Sequence, residues 1–351
     1  MFKIMAMYVV YLGMGNTLLC KTVKAKTIRN YLSEAAKTIQ QRRQRYVQTH
    51  PGTVLPWLSP LRAHGDTKLA PDIASCLREI ERWENMKDRH EPLTTDMIYY
   101  QKTLCRASTP HSEHQAMLNW EVTGIYGGFR LSEWAQKEGV ERCDQVKRTI
   151  DGSPMAFLIT DLEFKGENNR RLTRSAALHR PYLVQQVIVC WRYQKNGNKN
   201  EKKTFVRVGG GDSTLCAVTA WMNIAQRWAD LKLPDDHPLA VFTDSGLSTG
   251  QVQFITATEI NAALRGAAAI VYNVTDPKDL ARFSSHSIRV GACVALHAAG
   301  VSQQDIKFAL RWKSDSFYNY LRNLPCQSAR MASAVLNFNP TTFTLIPGNF
   351  V

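Results

Sequence analysis

The sequence predicts an α+β protein that is mainly helical, with a helical N-terminal module followed by a mixed domain that holds a small antiparallel sheet. The 351 residues are 44% hydrophobic, which is enough apolar material for two cores. Apolar residues recur at helical spacing through the first part of the chain. Further along, an Asn-Gly pair separates two runs of β-forming residues, and this pattern predicts a β-hairpin.

Residues 1–110 are predicted to form an all-helical module. The apolar run that ends near Gly13 is too short to cross a bilayer, which needs about 20 apolar residues, and it lacks the small residues of a signal-cleavage site. It therefore predicts a core helix. Because that helix begins abruptly, we expect the natural chain to extend further upstream. Helical segments follow at 22–45, 74–89 and 91–104.

From Ser112 onward, helical and strand patterns alternate, which predicts a mixed domain. The predicted elements are helices at 112–136 (with a glycine break), 213–231 and 256–271, a strand at 156–166 and the hairpin at 184–210. The predicted domain limits are 1–110 for the helical module, 111–340 for the mixed domain and 341–351 for a C-terminal tail.

The charge of the chain indicates a polyanionic partner. Its 44 lysines and arginines exceed its 30 aspartates and glutamates by 14. The first 110 residues hold seventeen of the basic and nine of the acidic residues, so the helical module carries more than half of this surplus. Such a balance favours nucleic acid over an acidic membrane surface, although a single basic residue on a helix is more often simply solvated. The candidate contacts are Lys24, Lys26, Arg29, Arg42 and Arg43.

Cysteine spacing argues against a metal site. The chain has eight cysteines, and none forms a Cys-x-x-Cys pair or lies at zinc-binding spacing from a histidine. We therefore expect reduced, mostly buried thiols in an intracellular protein. No carboxylate pair shows metal-ligand spacing either.

The segment that begins at Ser284 carries groups that a plain pair of core helices does not need. Ser284 or Ser285 is predicted to cap a helix that stops at Gly300. His286 and Arg289 are three residues apart, so they share one face near the N-terminus of this helix. Free N–H groups at a helix N-terminus attract phosphate, and an arginine adds a two-pronged donor. The pattern predicts a phosphate-binding face.

A tryptophan and two tyrosines follow in the same segment. A second helix is predicted from Ser302, with Asp305 in a capping position, and Trp312, Tyr318 and Tyr320 come after its end. Each of these features is weak alone, and a helix–turn–helix that reads DNA accounts for the two helices equally well. Their combination in this order favours a site that cuts and rejoins a phosphodiester.

These residues resemble the active site of the tyrosine recombinases, the phage-integrase family, and most closely its Cre-type branch. In that pattern a His-x-x-Arg is followed by a Gly, a Trp or His, and a nucleophilic tyrosine, and the run NYLRNL selects Tyr320. An upstream Gly-x-Arg-x-x-Glu pattern matches Arg130 and Glu133 in GGFRLSEW. A hairpin-turn lysine matches Lys195 in RYQKNG. The resemblance covers residues 112–324.

The resemblance implies a chemistry for each residue of the set. The implied catalytic residues are Arg130, Lys195, His286, Arg289, Trp312 and Tyr320, with Glu133 orienting a neighbouring basic group. In this family the arginines and the tryptophan bind the phosphate, the lysine protonates the leaving 5′ oxygen, the histidine assists, and the tyrosine forms a 3′-phosphotyrosine intermediate. The intermediate retains the energy of the broken bond, so neither ATP nor a metal cofactor is expected.

The resemblance also implies the partners. We expect a site-specific recombinase or integrase of a mobile element, whose helical module clamps double-stranded DNA and which acts as a homotetramer on two duplexes, away from membranes. Such a protein would be nuclear in a eukaryotic host and would otherwise lie in the cytoplasm or nucleoid.

Several alternatives stay open in the sequence. The spacing from Trp312 to Tyr320 is one residue shorter than in the Cre-type pattern, so Tyr318 competes as the nucleophile. The two tyrosines are about 200° apart on a helix, so only one can face the phosphate. Other lysines share the hairpin with Lys195, namely Lys199, Lys202 and Lys203. The alternative functions are a catalytically inactive DNA-binding protein of the same fold and a type IB topoisomerase.

Overall fold

The computed structural model describes residues 2–14, 23–52, 61–62, 69–83, 90–149, 152–194, 200–207, 213–312 and 318–321. The chain divides into two compact units, Met1–Asp88 and Arg89–Val351.

The first unit contains three described helices. These are α1 (Phe2–Gly13), α2 (Ala25–Thr49) and α3 (Pro71–Trp83). α1 ends at Gly13, as its sequence predicts, and all three helices contribute to one small core. Its best-buried side chains are Val9, Ile28, Leu32, Ile73 and Leu77. α2 is the longest helix, and its apolar stripe is short because its C-terminal half is almost entirely polar.

The second unit combines ten described helices with two small sheets. The helices are α4 (Thr95–Cys105), α5 (Glu113–Gly127), α6 (Leu131–Trp134), α7 (Arg174–His179), α8 (Ala217–Asp230), α9 (Ala257–Val271), α10 (Pro277–Leu280), α11 (Ser287–Ala298), α12 (Gln303–Ala309) and α13 (Tyr318–Leu321). Threonine and serine caps begin several of them. Thr94 accepts the Met97 N–H at the start of α4, and Ser302 accepts the Asp305 N–H at the start of α12.

Six short strands form the two sheets. They are β1 (Leu162–Lys165), β2 (Arg171–Leu172), β3 (Gln186–Trp191), β4 (Glu201–Val206), β5 (Val241–Thr243) and β6 (Val252–Phe254). The larger sheet has the order β2-β1-β3-β4 and is antiparallel throughout, and β5 pairs antiparallel with β6. β3 and β4 are the two strands of the predicted hairpin, and its Asn-Gly turn lies outside the described residues.

The predicted fold class is confirmed, because the chain is mainly helical and its largest sheet is small and antiparallel. The units divide at 88/89, whereas the sequence placed a domain limit at 110. The segment between these positions carries α4, whose apolar residues Met97 and Ile98 are fully buried in the core of the second unit. That core is centred on α5.

Aromatic side chains form the centre of this core. Trp120 of α5 stacks on Trp134 with ring centroids 4.9 Å apart and meets Trp221 of α8 edge to face at 5.5 Å. Trp191 at the end of β3 joins the cluster through Phe157, with centroids 5.3 Å apart. Rings of this size remove a large apolar area from water, so the cluster gives a rigid base to the elements around it.

Two further features are absent from the described residues. None of their helices combines the length and apolar character needed to cross a bilayer. Their histidine, cysteine and acidic side chains form no group of three or more able to hold a metal ion.

Candidate active site

Several of the predicted site residues lie where the C-terminal ends of α5 and α12 come together. Gly128 directly follows α5, adopts a left-handed conformation with φ 57° and donates its N–H to the Gly124 carbonyl. A Cβ atom at Gly128 would stand 2.6 Å from Cδ2 of Leu310, the residue that follows α12. Glycine is therefore required here for two reasons, the positive φ and the close approach of the second helix.

Arg289 connects the two helix ends. It belongs to α11, is only 6% exposed, and donates from Nη1 to the Gly128 carbonyl and from Nη2 to the Leu310 carbonyl at 2.8 Å. Its guanidinium carbon lies 4.7 Å from the centroid of the Trp312 ring. Each terminal nitrogen carries a second hydrogen, so a guanidinium held in this way can still donate to a phosphate.

Arg130 is fixed by Glu133, one helical turn further along. The Glu133 carboxylate accepts from the backbone N–H of Arg130 at 3.1 Å and from its Nη1 at 3.0 Å. It also accepts from the indole nitrogen of Trp191 at 3.1 Å and from Nη2 of Arg311 at 3.0 Å. Glu133 is only 5% exposed, and four donors offset the cost of burying its charge.

Three consecutive carbonyls at the end of α5 each accept from a different cationic side chain. Tyr126 accepts from the Lys203 ammonium at 2.6 Å, Gly127 from the Arg311 guanidinium at 3.2 Å, and Gly128 from Arg289. The last carbonyls of a helix have no partner within the helix and carry the negative end of its dipole. This helix end therefore holds three cations close together, and one of them, Arg311, also pairs with the Glu133 carboxylate.

Lys203 reaches the cluster because of its register on β4. It lies opposite Val189 of β3, which is fully buried, and on the same strand face as the buried Phe205. Its ammonium also donates to the Ala309 carbonyl of α12 at 3.1 Å. Burial, and next the nearby charge of Arg311, lower the pKa of Lys203 to about 8. An ammonium with such a pKa is a competent proton donor near neutral pH.

The neighbouring lysine on β4 faces a different environment. Lys202 is exposed, and its ammonium pairs with Glu163 of β1 at 2.6 Å. Successive residues of a strand point to opposite faces, so Lys203 reaches the site and its neighbour Lys202 does not.

His286 is neutral at physiological pH. Burial lowers its pKa to about 4, with further contributions from His90 and Arg289. Its ring stands edge to face with that of His90, with centroids 5.2 Å apart. His90 Nδ1 lies 3.1 Å from the Ser284 hydroxyl, which ties the segment that precedes α4 to the segment that precedes α11. A neutral imidazole can accept a proton or share a hydrogen bond with a phosphate.

The two candidate tyrosines belong to α13, which packs on α11. Leu321 of α13 is buried in a cluster with Ala292 and Cys293 of α11. Tyr318 is 39% exposed and donates its hydroxyl hydrogen to Oε1 of Gln303 on α12. The backbone of Tyr320 belongs to the same helix, and its side chain lies outside the described residues.

The structure brings most of the predicted residues of the second unit together. Arg130, Glu133, His286, Arg289 and Trp312 lie around the ends of α5 and α12 or at the start of α11. Lys195 falls in the segment 195–199, outside the described residues. Of the lysines that share its hairpin, the cluster contains Lys203.

The predicted nucleic-acid contacts all lie on or next to α2 in the first unit. Lys24, Lys26, Arg29 and Arg42 are exposed, and Arg43 is half-buried. Arg29 forms an exposed ion pair with Glu81 of α3 at 2.9 Å, so part of its charge is already neutralised.

Sequence reasoning missed Arg311, Trp191 and His90. Arg311 directly precedes Trp312, so a search for donors beside the motif would have found it. Trp191 and His90 carried no such signal, because their contacts join positions far apart in the chain. The place of Lys203 could have been inferred from strand alternation, since Phe205 two residues on is the clearest core residue of that strand.

The site is strongly cationic. Arg130 and Arg311 bind the buried carboxylate of Glu133, and Lys203 and Arg289 bind carbonyls at the end of α5. A cavity of about 470 Å³ opens between β4 and the end of α12, and its walls include Lys203, Arg311 and Trp312. Such an arrangement can hold an anion the size of a phosphodiester and can donate a proton to it.

Comparisons with known proteins give distant similarities. No protein-family profile matches the chain, and a search of curated proteins found no match. A fragment of the Tn1549 transposon integrase in complex with circular intermediate DNA is similar over 95% of this chain and 84% of that chain, at 14% identity and a TM-score of 0.44. A variant of that integrase in complex with transposon right end DNA is similar over 96% and 85%, at 11% identity and a TM-score of 0.48.

Proposed function

We propose that this protein is a site-specific DNA recombinase or integrase of the tyrosine-recombinase type, which cuts and rejoins DNA through a 3′-phosphotyrosine intermediate. The observation that carries the proposal is the convergence of Arg289, Trp312 and Lys203 on the ends of the same two helices, α5 and α12. Arg130 adds a second guanidinium through Glu133.

The arginines suit the charge that develops during phosphoryl transfer. When an oxygen attacks the phosphorus, negative charge grows on the two non-bridging oxygens, and preorganised donors stabilise that charge. Arg289 and Arg130 are each held by hydrogen bonds within the protein, so little reorganisation is needed when the phosphate arrives. Trp312 packs against the guanidinium of Arg289 and restricts its movement.

The proton transfers can be assigned to two groups. The Tyr320 oxygen attacks phosphorus, a bond forms between them, and the bond from phosphorus to the 5′ oxygen breaks. The phenolic proton passes to His286, whose low pKa keeps it neutral beforehand. The leaving 5′ oxygen takes a proton from the Lys203 ammonium, whose third hydrogen is not used by the two carbonyls. Rejoining reverses these transfers, with the 5′ hydroxyl as the nucleophile.

Lys203 takes the role of the acid in this proposal because its surroundings fit that role. Its pKa of about 8 leaves it mostly protonated at pH 7 and still ready to lose the proton. Lys195 stays a prediction for the hairpin turn, where a lysine can contact the DNA backbone.

The partner in this proposal is double-stranded DNA. Exposed cations on α2 would contact the backbone of the duplex, and the cationic cluster of the second unit would hold the scissile phosphate. Action as a homotetramer on two duplexes, membership of a mobile element and the Cre-type branch follow from the sequence resemblance alone and stay part of the proposal.

A covalent adduct tests the proposal directly. The protein is incubated with a pool of nicked duplexes of random sequence in the presence of a chelator, and the adduct is isolated under denaturing conditions. Tyr320→Phe should abolish the adduct, because phenylalanine keeps the ring and loses only the attacking oxygen. Tyr318→Phe is the matched control on the same helix and should keep the adduct. Peptide mapping then locates the phosphate.

Other outcomes would favour the alternative functions. A phosphate mapped to Tyr318 would move the nucleophile by two positions. No adduct with any variant, combined with normal DNA binding, would indicate a catalytically inactive DNA-binding protein. Supercoil relaxation by a monomer, without strand exchange, would indicate a type IB topoisomerase.

A further inference from the structure

Arg311 occupies a backbone conformation that does not favour a side chain. Its φ is +57°, in the left-handed region where glycine is the usual residue. It follows the end of α12 and directly precedes Trp312. An arginine at such a position must be held by contacts that offset the backbone strain, and strain of this kind concentrates at functional sites.

The side chain of Arg311 is held on three sides. Nη2 pairs with Glu133 at 3.0 Å, and Nη1 donates to the Gly127 carbonyl at 3.2 Å. The guanidinium carbon lies 3.9 Å from the centroid of the Trp191 ring. The charge of Arg311 is thus paired with a buried carboxylate. This argues for a role in arranging other residues rather than in binding the phosphate.

The first of these residues is Arg130. Arg130 and Arg311 share the Glu133 carboxylate, one guanidinium on each oxygen. A buried carboxylate with a single cationic partner would draw that partner into a full two-pronged pair. Because Arg311 occupies the second oxygen, Arg130 donates to Glu133 with one nitrogen of its side chain. Its other N–H groups are then oriented by the shared carboxylate and remain available to a phosphate.

The second residue is Lys203. Arg311 and Lys203 donate to adjacent carbonyls, those of Gly127 and Tyr126, and both line the same cavity. Burial is the main cause of the lowered pKa of Lys203, and the positive charge of Arg311 is the second cause.

Other charged groups line the same cavity as Lys203. They are Glu201 and Lys202 on β4 itself and Lys307 on α12. Arg311 contacts both the Glu133 carboxylate behind Arg130 and the Gly127 carbonyl, which is next to the Tyr126 carbonyl that binds Lys203.

We infer that Arg311 is a positioning residue of the active site, which sets the orientation of Arg130 through Glu133 and keeps Lys203 ready to donate its proton. This inference rests on the proposed function. It adds a residue that touches neither the phosphate nor the nucleophile.

Three variants of Arg311 separate its charge from its shape. Arg311→Met removes the charge and keeps much of the apolar stem. Arg311→Lys keeps a positive charge and loses the planar fork. Arg311→Gly removes the side chain and suits the left-handed backbone, which protects the test against misfolding. Arg174→Met is the matched control, because Arg174 of α7 also pairs with a carboxylate, Asp235, and stacks on a tryptophan, Trp228.

Two duplexes separate the two effects of Arg311. Both carry a sequence recovered from the adduct selection, and in one of them sulfur replaces the bridging 5′ oxygen at the cleaved bond. A thiolate leaves without being protonated, because thiols are far more acidic than alcohols. The sulfur duplex therefore reacts without help from Lys203, but it still needs Arg130 on its phosphate.

The expected results follow from these roles. On the oxygen duplex at pH 7, Arg311→Met should cleave roughly tenfold to a hundredfold more slowly than the wild type. The sulfur duplex should recover part of this loss, and the remainder reports the displaced Arg130. Wild-type cleavage should decline as the pH rises through about 8. This decline should move to higher pH in Arg311→Met and Arg311→Gly and should stay in place in Arg311→Lys.

The opposite results would overturn the inference. An unmoved alkaline decline in Arg311→Met and Arg311→Gly, or equal losses on the two duplexes, would leave Arg311 with a purely structural role. Arg311 variants that cleave as fast as the control Arg174→Met would also contradict the inference. In each of these cases the wild-type protein still forms its adduct and the proposed function stands, whereas a wild-type protein without an adduct would contradict the proposed function itself.

Discussion

Cationic side chains occur in two very different settings in this protein. On α2 of the first unit they are mostly exposed to solvent, as for Lys24, Lys26 and Arg42. In the second unit Arg289 is buried and Lys203 is half-buried, and both are held by backbone carbonyls at the ends of α5 and α12. The first set contributes charge alone, while the second set has both charge and a fixed geometry.

The difference predicts different functions for the two sets. Exposed charges interact through water and salt, so each adds a modest, salt-dependent increment to affinity for a polyanion. Buried charges act at low dielectric, where one well-placed donor changes a reaction barrier by several kcal/mol. Variants in the two regions should therefore separate DNA affinity from DNA cleavage.

Arg289→Ala should show the largest effect. Cleavage should fall by roughly a thousandfold, because a preorganised donor to the non-bridging oxygens is lost. DNA affinity should change by less than about tenfold, since one phosphate contact is a small part of a wide interface. Adduct formation and equilibrium binding are measured on the same duplex. Arg289→Lys keeps the charge and tests the need for the fork. Parallel loss of affinity and cleavage would make Arg289 a docking residue.

Lys203→Met should come next, with about a hundredfold loss of cleavage at pH 7. The acid form of Lys203 is the active one, so wild-type cleavage should decline above pH about 8, and this decline should be absent in the variant. Lys202→Met is the matched control on the neighbouring position, where the ammonium only pairs with Glu163 at the surface. A loss in Lys202→Met and none in Lys203→Met would reverse the assignment of the strand faces.

A buried carboxyl group without partners should make the stability of the protein depend on pH. Glu121 in the middle of α5 is fully buried, neither carboxylate oxygen has a hydrogen-bond partner among the described residues, and burial raises its pKa to about 8. Its folded form keeps a proton that the unfolded chain releases above about pH 4.5. The stability of the wild type should therefore fall as the pH rises from that value to about 8.

Glu121→Gln should remove this dependence. The variant should exceed the wild type in unfolding free energy by roughly 1–3 kcal/mol at pH 7, and the difference should shrink towards pH 5. Chemical denaturation at both pH values measures this difference in unfolding free energy. Glu34→Gln, which changes an exposed carboxylate, is the control. A difference that does not change with pH would show that the carboxyl finds a partner in solution.

Loss of exposed cations should have the smallest effect on cleavage. The double variant Lys26→Ala/Arg42→Ala should weaken DNA binding about tenfold and lower the salt dependence by roughly two released counterions. Cleavage at saturating protein should be unchanged, and a chelator should have no effect on either quantity. Lys37→Ala is the control on the same helix, because its ammonium already pairs with Glu34 at 2.7 Å. A salt response equal to that of the wild type would remove α2 from the DNA interface.

Much of the fold followed from local patterns. The helices at α2, α5, α8 and α9 were predicted from their apolar spacing, and the hairpin of β3 and β4 from its turn. The extent of α4 was also predicted, but its packing was not. Whether an amphipathic helix covers one core or another depends on distant partners such as Trp120, which its own sequence does not reveal.

Part of the candidate site was also visible in the sequence. His286 and Arg289 share a helix turn, and Arg130 and Glu133 share another, so their spacing alone placed each pair together. Lys203 required the register of two strands, and a shift of one residue would have exposed it and buried Lys202.

The sequence by itself determined the composition of the site, because residue types at helical or strand spacing are set by local geometry. Its cationic balance, its paired motifs and its order of chemical groups can all be read from the chain. Only the tertiary structure decided that the last carbonyls of α5 bind Lys203, Arg311 and Arg289 side by side. These contacts join positions more than 70 residues apart, and they form because a helix end offers carbonyls that no local partner satisfies.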